Sequence, residues 1–164
     1  MEKTTKRLLS ESSIKELKRL KDLYPEKKSI VLMVLHVIHD QFGFLKPDAI
    51  DEAAEIVGIP PMDFHQAGSF YTFFPRQEVG KYHIQVCRTL SCYLRGSEEL
   101  VEYLIEKLNI KMGGVTEDGM FSLTEVECLG SCGSGPMMQI NDTYYENLNR
   151  ARVDNILQEL RKKA

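Results

Sequence analysis

FSLTEVECLGSCGSGPMMQIN, residues 121–141, sets the reading of the whole chain. Phe121 to Glu127 mixes β-branched and apolar residues as a strand does. Met137 to Asn141 reads as another. Between them lies CLGSCGSGP, a loop with two thiols, three glycines and a proline and little else to pack. Gly130, Gly133 and Gly135 allow close backbone approach or positive φ. Pro136 ends the loop and fixes entry into the following strand.

Working back along the chain, Tyr82-His83-Ile84-Gln85-Val86-Cys87 alternates apolar and polar residues and predicts a strand, with His83 pointing outward. Ser97 is placed to cap a helix over EELVEYLIEKLN, and Gly113-Gly114 breaks the chain. Past the loop, the segment from Asn149 predicts a helix with Val153, Ile156, Leu157 and Leu160 inward. The order β, α, β, β, α is that of a small sheet with helices packed on it.

The first seventy-odd residues have helical periodicity instead. Ser13-x-x-Glu16 reads as a capping box, with Ile14, Leu17, Leu20 and Tyr24 on one face and Pro25 as the stop. SIVLMVLHVIHDQFG is apolar nearly all round, which predicts a buried helix ending near Gly43. Asp48 to Val57 and MDFHQAGSFYTFF predict two more. The fold class is therefore α+β: an N-terminal helical bundle over residues 1–76, then an α/β domain over 77–164. Residues 74–80 (FPRQEVG) are the expected hinge. No internal repeat or low-complexity stretch is present.

Composition narrows the function. Apolar residues are 43% of the chain, enough for a core, and net charge is −3. Residues 1–28 hold nine Lys/Arg against five Asp/Glu, while the rest hold twelve against nineteen. An acidic body with a short basic arm predicts no nucleic-acid partner. The arm reads as a solvated helix face, with docking to an acidic partner as the other reading. No apolar run approaches the length of a membrane span, so no direct membrane insertion is expected. MEKTTKRLLSESS lacks the apolar core and cleavage site of a secretory signal, so a reducing compartment is expected, where disulfides are disfavoured.

The chain has four cysteines: Cys87, Cys92, Cys128 and Cys132. Each pair falls where a strand runs into a loop. If the two strands are neighbours, the four sulfurs converge at one end of the sheet. The pattern is C-x4-C, thirty-five residues, then C-x3-C. Thioredoxin-type redox chemistry needs C-x-x-C, which is absent. Zinc knuckles mostly space their cysteines more tightly. Iron–sulfur clusters also take four thiolates, and one such pattern includes C-x4-C. A [2Fe–2S] rhomb is longer than one ion, so each pair can ligate its own iron. Spacing and loop context favour the cluster and leave zinc open. Arg88 is the cation nearest the thiols in sequence, with solvent exposure as its other reading, and one of Met137 and Met138 is expected to shield the site from water. His36 and His39, on the apolar helix, read as core or bundle-edge residues, and His65 has no evident partner. No Ser/His/Asp set stands in a recognisable context. Tyr144-Tyr145 reads as edge packing or a partner contact.

VCRTLSCYLRGSEEL (86–100) with EVECLGSCGSGPMMQINDTYYENL (125–148) resembles the thioredoxin-like [2Fe–2S] ferredoxin subunit of respiratory complex I, NADH:quinone oxidoreductase. HVIHDQFGFL (36–45) and FYTFFPRQEVGKY (70–82) match that family's helical region and its run into the first strand. The resemblance covers nearly the whole chain. It implies a thioredoxin-like domain behind a helical bundle, with Cys87, Cys92, Cys128 and Cys132 as ligands of one [2Fe–2S] cluster. The implied partner is a flavoprotein subunit carrying FMN and the NADH site. The implied location is cytoplasmic, peripheral to the inner face of an energy-transducing membrane. The chain has no G-x-G-x-x-G nucleotide cradle, and hydride transfer needs a flavin before a one-electron acceptor. It is therefore expected to act as an oxidoreductase subunit that exchanges single electrons with the partner's flavin at a low potential, not as an enzyme on NADH alone. Related subunits in NAD-linked hydrogenases and formate dehydrogenases leave the host complex open. A structural or assembly role, or a zinc module stabilising fold and interface, is the alternative.

Overall fold

A computed structural model describes residues 7–163. Glu2, Lys3 and Lys6 of the basic arm lie outside the described residues. The chain divides between Glu78 and Val79 into two compact units.

The first unit is helical. Helix α1 (Glu11–Leu23) starts one turn earlier than the capping box at Ser13 predicts: the N-cap is Ser10, whose hydroxyl accepts from the Ser13 N–H at 3.1 Å. Ser13 instead donates its hydroxyl to Gln41 Oε1 at 2.7 Å. The preceding backbone is tied down from two other helices. Gln41 accepts from the Ser10 N–H and donates to the Leu8 carbonyl, and Glu52 accepts from the N–H groups of Leu8 and Leu9. A 3₁₀ turn (Lys27–Ile30) leads into α2 (Val31–Phe42), which ends at Gly43 with φ 76°. Helix α3 (Pro47–Val57) likewise ends at Gly58 with φ 71°. Both are left-handed caps that glycine adopts without strain. Helix α4 (Pro61–Phe70) is shorter than its sequence pattern suggests: Tyr71 turns extended, and Tyr71, Phe73 and Phe74 form an aromatic cluster. Leu17, Val34, Leu35, Ile38, Ala53, Val57 and Phe64 are buried in the core. The ring of His36 stacks on Phe73 and meets Phe74 edge-on, 4.9 Å between centroids.

The second unit is a four-stranded mixed sheet with helices. Its strands are β1 (Tyr82–Cys87), β2 (Phe121–Val126), β3 (Met138–Ile140) and β4 (Thr143–Tyr145), in the order β2-β1-β3-β4. Strands β1 and β2 are parallel, from Tyr82 opposite Phe121 to Cys87 opposite Val126. The other two pairings are antiparallel. The parallel pair requires a crossover. It is made by a one-turn helix α5 (Leu90–Tyr93) and by α6 (Ser97–Leu108). The cap expected at Ser97 is absent: the N-cap is Gly96 at φ 90°, and Ser97 is buried inside the first turn. Helix α7 (Arg150–Lys162) is capped by Asn149, whose side chain accepts from the Arg152 N–H. The apolar faces of α6 and α7 share one core with Ile84, Val86, Phe121, Leu123 and Ile140.

Strand β1 departs from a simple inward–outward alternation. It is the inner strand beside β2, and even Gln85 is only 5% exposed. His83 is half-buried, with Nδ1 2.8 Å from the Ser122 hydroxyl on β2, rather than facing open solvent. Strand β4 and helix α5 are additions to the elements that the sequence predicts.

Candidate metal centre

The parallel register of β1 and β2 brings the thiols to one end of the sheet. Cys87 is the last residue of β1, opposite Val126, and Cys128 follows two residues beyond that partner. The Cys87 N–H donates to the Met137 carbonyl at 3.2 Å, and the Arg88 N–H donates to the Val126 carbonyl at 3.0 Å. Three chain segments are thereby locked around Cys87. Helix α5 supplies Cys92 from its single turn, and Cys132 begins a 3₁₀ turn (Cys132–Ser134) in the glycine loop.

The four thiols form two unlike pairs. Cys87 and Cys92 are each 1% exposed and pack with Met137 and Leu129, whereas Cys128 and Cys132 are exposed, their sulfurs 3.9 Å apart. Burial pushes the Cys87 thiol up, but hydrogen bonds from Thr89, from backbone N–H groups and from Cys92 outweigh it and hold it below the ordinary thiol value. Burial, and then the neighbouring Cys87, push Cys92 up to about 11. The Cys132 thiol is raised mainly by Cys128, and it also feels the charge of Cys87 across the site. Iron or zinc binds thiolate, so loading this set releases protons, and the metal's positive charge stabilises the thiolate that burial disfavours at Cys92.

Three features suit the sulfurs to ligation. The Gly130 N–H points at Cys128 Sγ at 3.3 Å, from a backbone with φ 81°. Thr89 Oγ1 lies 3.2 Å from Cys87 Sγ instead of capping α5. A Cβ on Gly135 would sit 3.2 Å from Cys92 Sγ, so glycine leaves the sulfur its space there. Among the described residues no three His, Cys, Asp or Glu side chains stand close enough to hold one metal ion; the thiols come instead as facing pairs. A donor set of four sulfurs, lined by N–H and hydroxyl donors and roofed by apolar residues, fits a [2Fe–2S] cluster.

Arg88 faces Glu127, its Nε donating to Glu127 Oε1 at 3.1 Å, on the surface. Arg95 is the cation that reaches the thiol loop, with Nη1 donating to the Gly133 carbonyl at 2.8 Å. Thr89 and Arg95 escaped the sequence reading. Arg95 lies three residues past Cys92 on the same turn of chain, a spacing that was available as a signal. Of the two methionines, Met137 is the one beside the thiols, and Met138 belongs to the larger sheet core.

The chain is similar to known proteins. The family model for the thioredoxin-like [2Fe–2S] ferredoxin matches residues 17–161. The chain is 43% identical over 136 residues to "NADH-quinone oxidoreductase subunit 2" of Thermus thermophilus, covering 82% of this chain and 75% of that protein. It is 43% identical over 144 residues to an NADH-quinone oxidoreductase subunit of Rickettsia bellii, covering 87% and 86%. Among solved structures, an NAD+-reducing [NiFe]-hydrogenase in the air-oxidized state superposes with a TM-score of 0.69 at 23% identity, a likeness of fold. That match covers 82% of this chain and 23% of the hydrogenase chain. With a family model spanning nearly its whole length and relatives matched along most of theirs, this chain belongs to the thioredoxin-like [2Fe–2S] ferredoxin family.

Proposed function

We propose that the chain is the [2Fe–2S] electron-transfer subunit of an NADH dehydrogenase module of the complex I type. The observation that carries it is the meeting of two cysteine pairs at the ends of two neighbouring parallel strands, in a chain whose relatives are NADH-quinone oxidoreductase subunits. Cys87 and Cys92 would hold one iron, and Cys128 and Cys132 the other. When bound, the cluster supplies a one-electron acceptor and donor at low potential. The protein's own part is to anchor, shield and connect. Met137 and Leu129 keep water from the inner pair, Thr89 and Gly130 direct donors at the sulfurs, and the exposed outer pair gives electrons a short way out.

The proposed boundary between the helical part and the cluster domain lies at residues 76/77, close to the division after Glu78. The partner is a flavoprotein subunit that carries FMN and the NADH site, and NADH alone is no substrate for this chain. Among the described residues no helix is long and apolar enough to cross a membrane. The place we propose for the chain is peripheral, on the inner face of an energy-transducing membrane.

The test is to mix the anaerobically reduced chain with the oxidised flavoprotein. Co-elution as one complex, with bleaching of the flavin as the iron–sulfur absorption returns, is the expected result. Complex formation without electron exchange would leave only a structural or assembly role, and absence of both would overturn the proposal.

A further inference from the structure

Apart from Leu129, the part of the loop that carries the outer cysteine pair is held by little packing. Cys128, Gly130, Cys132 and Gly133 are exposed or half-exposed, and a Cβ at Gly130 or Gly133 would meet nothing within 4 Å. Yet a cluster ligand has to be held in place before the metal arrives, or ordering the loop is charged against binding. The hydrogen bonds around Cys132 show what holds it.

Glu146, the residue just after β4, has an Oε1 that accepts from the hydroxyls of both Ser131 and Ser134, in partly buried bonds. These serines bracket Cys132 and stand 2.8 Å apart, oxygen to oxygen. Next to Glu146, the Asn147 N–H donates to the Ser134 carbonyl at 2.6 Å. Arg95 also donates to the Gly133 carbonyl. Arg95 follows the turn that carries Cys92, so this bond ties the outer pair to the inner one.

We infer that Glu146 is a positioning residue for the cluster: it acts through Ser131 and Ser134 to hold Cys132 in its binding pose, with Arg95 as the second fastening. The inference rests on the reading that Cys132 is a ligand. One acceptor oxygen that takes both hydroxyl bonds ties the two sides of the Cys132 turn together. It also occupies both hydroxyls, so that neither serine competes for the cysteine sulfur. No charge on Glu146 is needed for this, only an acceptor oxygen in the same place.

The experiment is cluster retention in the full-length chain. Purified or reconstituted protein is challenged anaerobically with excess ferrous chelator, loss of visible absorption is followed, and EPR spectra are taken of the reduced samples. E146A is expected to lose iron about tenfold faster than wild type, the effect of losing the hydrogen bonds to both serines, with a broadened EPR line from a looser ligand. E146Q keeps an acceptor oxygen and is expected to stay within about twofold of wild type. The S131A/S134A variant should match E146A, and adding E146A to it should change nothing further, because the carboxylate acts through those hydroxyls. If E146A does not fold, S131A/S134A and R95A carry the test, each with faster loss expected. Iron loss at the wild-type rate in these variants overturns the inference. So does E146Q behaving like E146A, or an undiminished E146A effect on the double-serine background. A wild-type chain that takes up no cluster overturns the functional reading as well, which separates the two failures.

Discussion

At the scale of single residues, the three loop glycines divide the work among themselves. Gly130 sits at φ 81° with open space around it, so Gly130→Ala should cost about 1–2 kcal/mol through backbone strain alone. Gly135 has ordinary backbone angles, but a Cβ there would press on Cys92 Sγ at 3.2 Å. Gly135→Ala should therefore cost about 1–3 kcal/mol by overpacking and reduce the iron bound per chain. Gly133 has neither demand, and Gly133→Ala should stay within about 0.5 kcal/mol. Urea unfolding of the three variants checks the order, and iron analysis checks that Gly135→Ala alone lowers occupancy through crowding of a ligand. Met137, fully buried against Cys87 and Cys92, offers a second handle. Met137→Gln brings an amide donor to the sulfurs, favours the reduced and more negative cluster, and should raise the midpoint on the order of tens of millivolts, a fraction of one hydrogen bond to a charged group. An unchanged midpoint in a redox titration would mean that Met137 does not tune the site.

At the scale of elements, capping is where sequence and structure part. Ser13 and Ser10 both precede apolar periodicity, and Glu16 three residues on makes Ser13 the stronger match to a capping box. The structure prefers Ser10 because Gln41 on α2 takes the Ser13 hydroxyl, and a tertiary partner outweighs the local pattern. Thermal melts should show Ser10→Ala costing about 1 kcal/mol, the usual loss of an N-cap. The same logic hid α5 and β4. A single turn of helix and a three-residue edge strand carry too little periodicity to be read, and both are fixed by bonds to neighbours. Long elements, such as α2, α3 and α7, were legible because each presents several apolar residues on one face and has a recognisable stop or cap. Between α6 and α7, Asp154 Oδ1 takes Lys107 at 2.8 Å and the Tyr103 hydroxyl at 2.7 Å. Lys107 first, and then Tyr103, hold the Asp154 carboxyl below its ordinary value. A lowered carboxylate stabilises the fold above its unfolded value, about pH 4, and the contribution is lost as pH falls through the folded value. Asp154→Asn should thus melt slightly lower than wild type at pH 7 in low salt, the two curves converging once the pH has fallen through the folded carboxyl's lowered value. The pair is partly open to solvent, so the difference is small and salt weakens it.

For the whole molecule, the division into a helical unit and a sheet unit follows from a change of period near Gly80, which a single sequence displays openly. The pairing of four distant thiols followed once β1 and β2 were taken as neighbours, and their parallel register supplies the reason. What the sequence could not display was how the outer cysteine loop is held. Glu146 and the loop serines come together only through the sheet and its connections, and no spacing announces them. The account as a whole stands on the cluster itself. The direct measurement is an EPR spectrum of the anaerobically purified, dithionite-reduced chain, with iron, acid-labile sulfide and zinc assayed on the same sample. The account predicts a paramagnetic reduced cluster with two irons and two sulfides per chain. An EPR-silent sample carrying one zinc per chain would contradict it and make the glycine loop a structural knuckle.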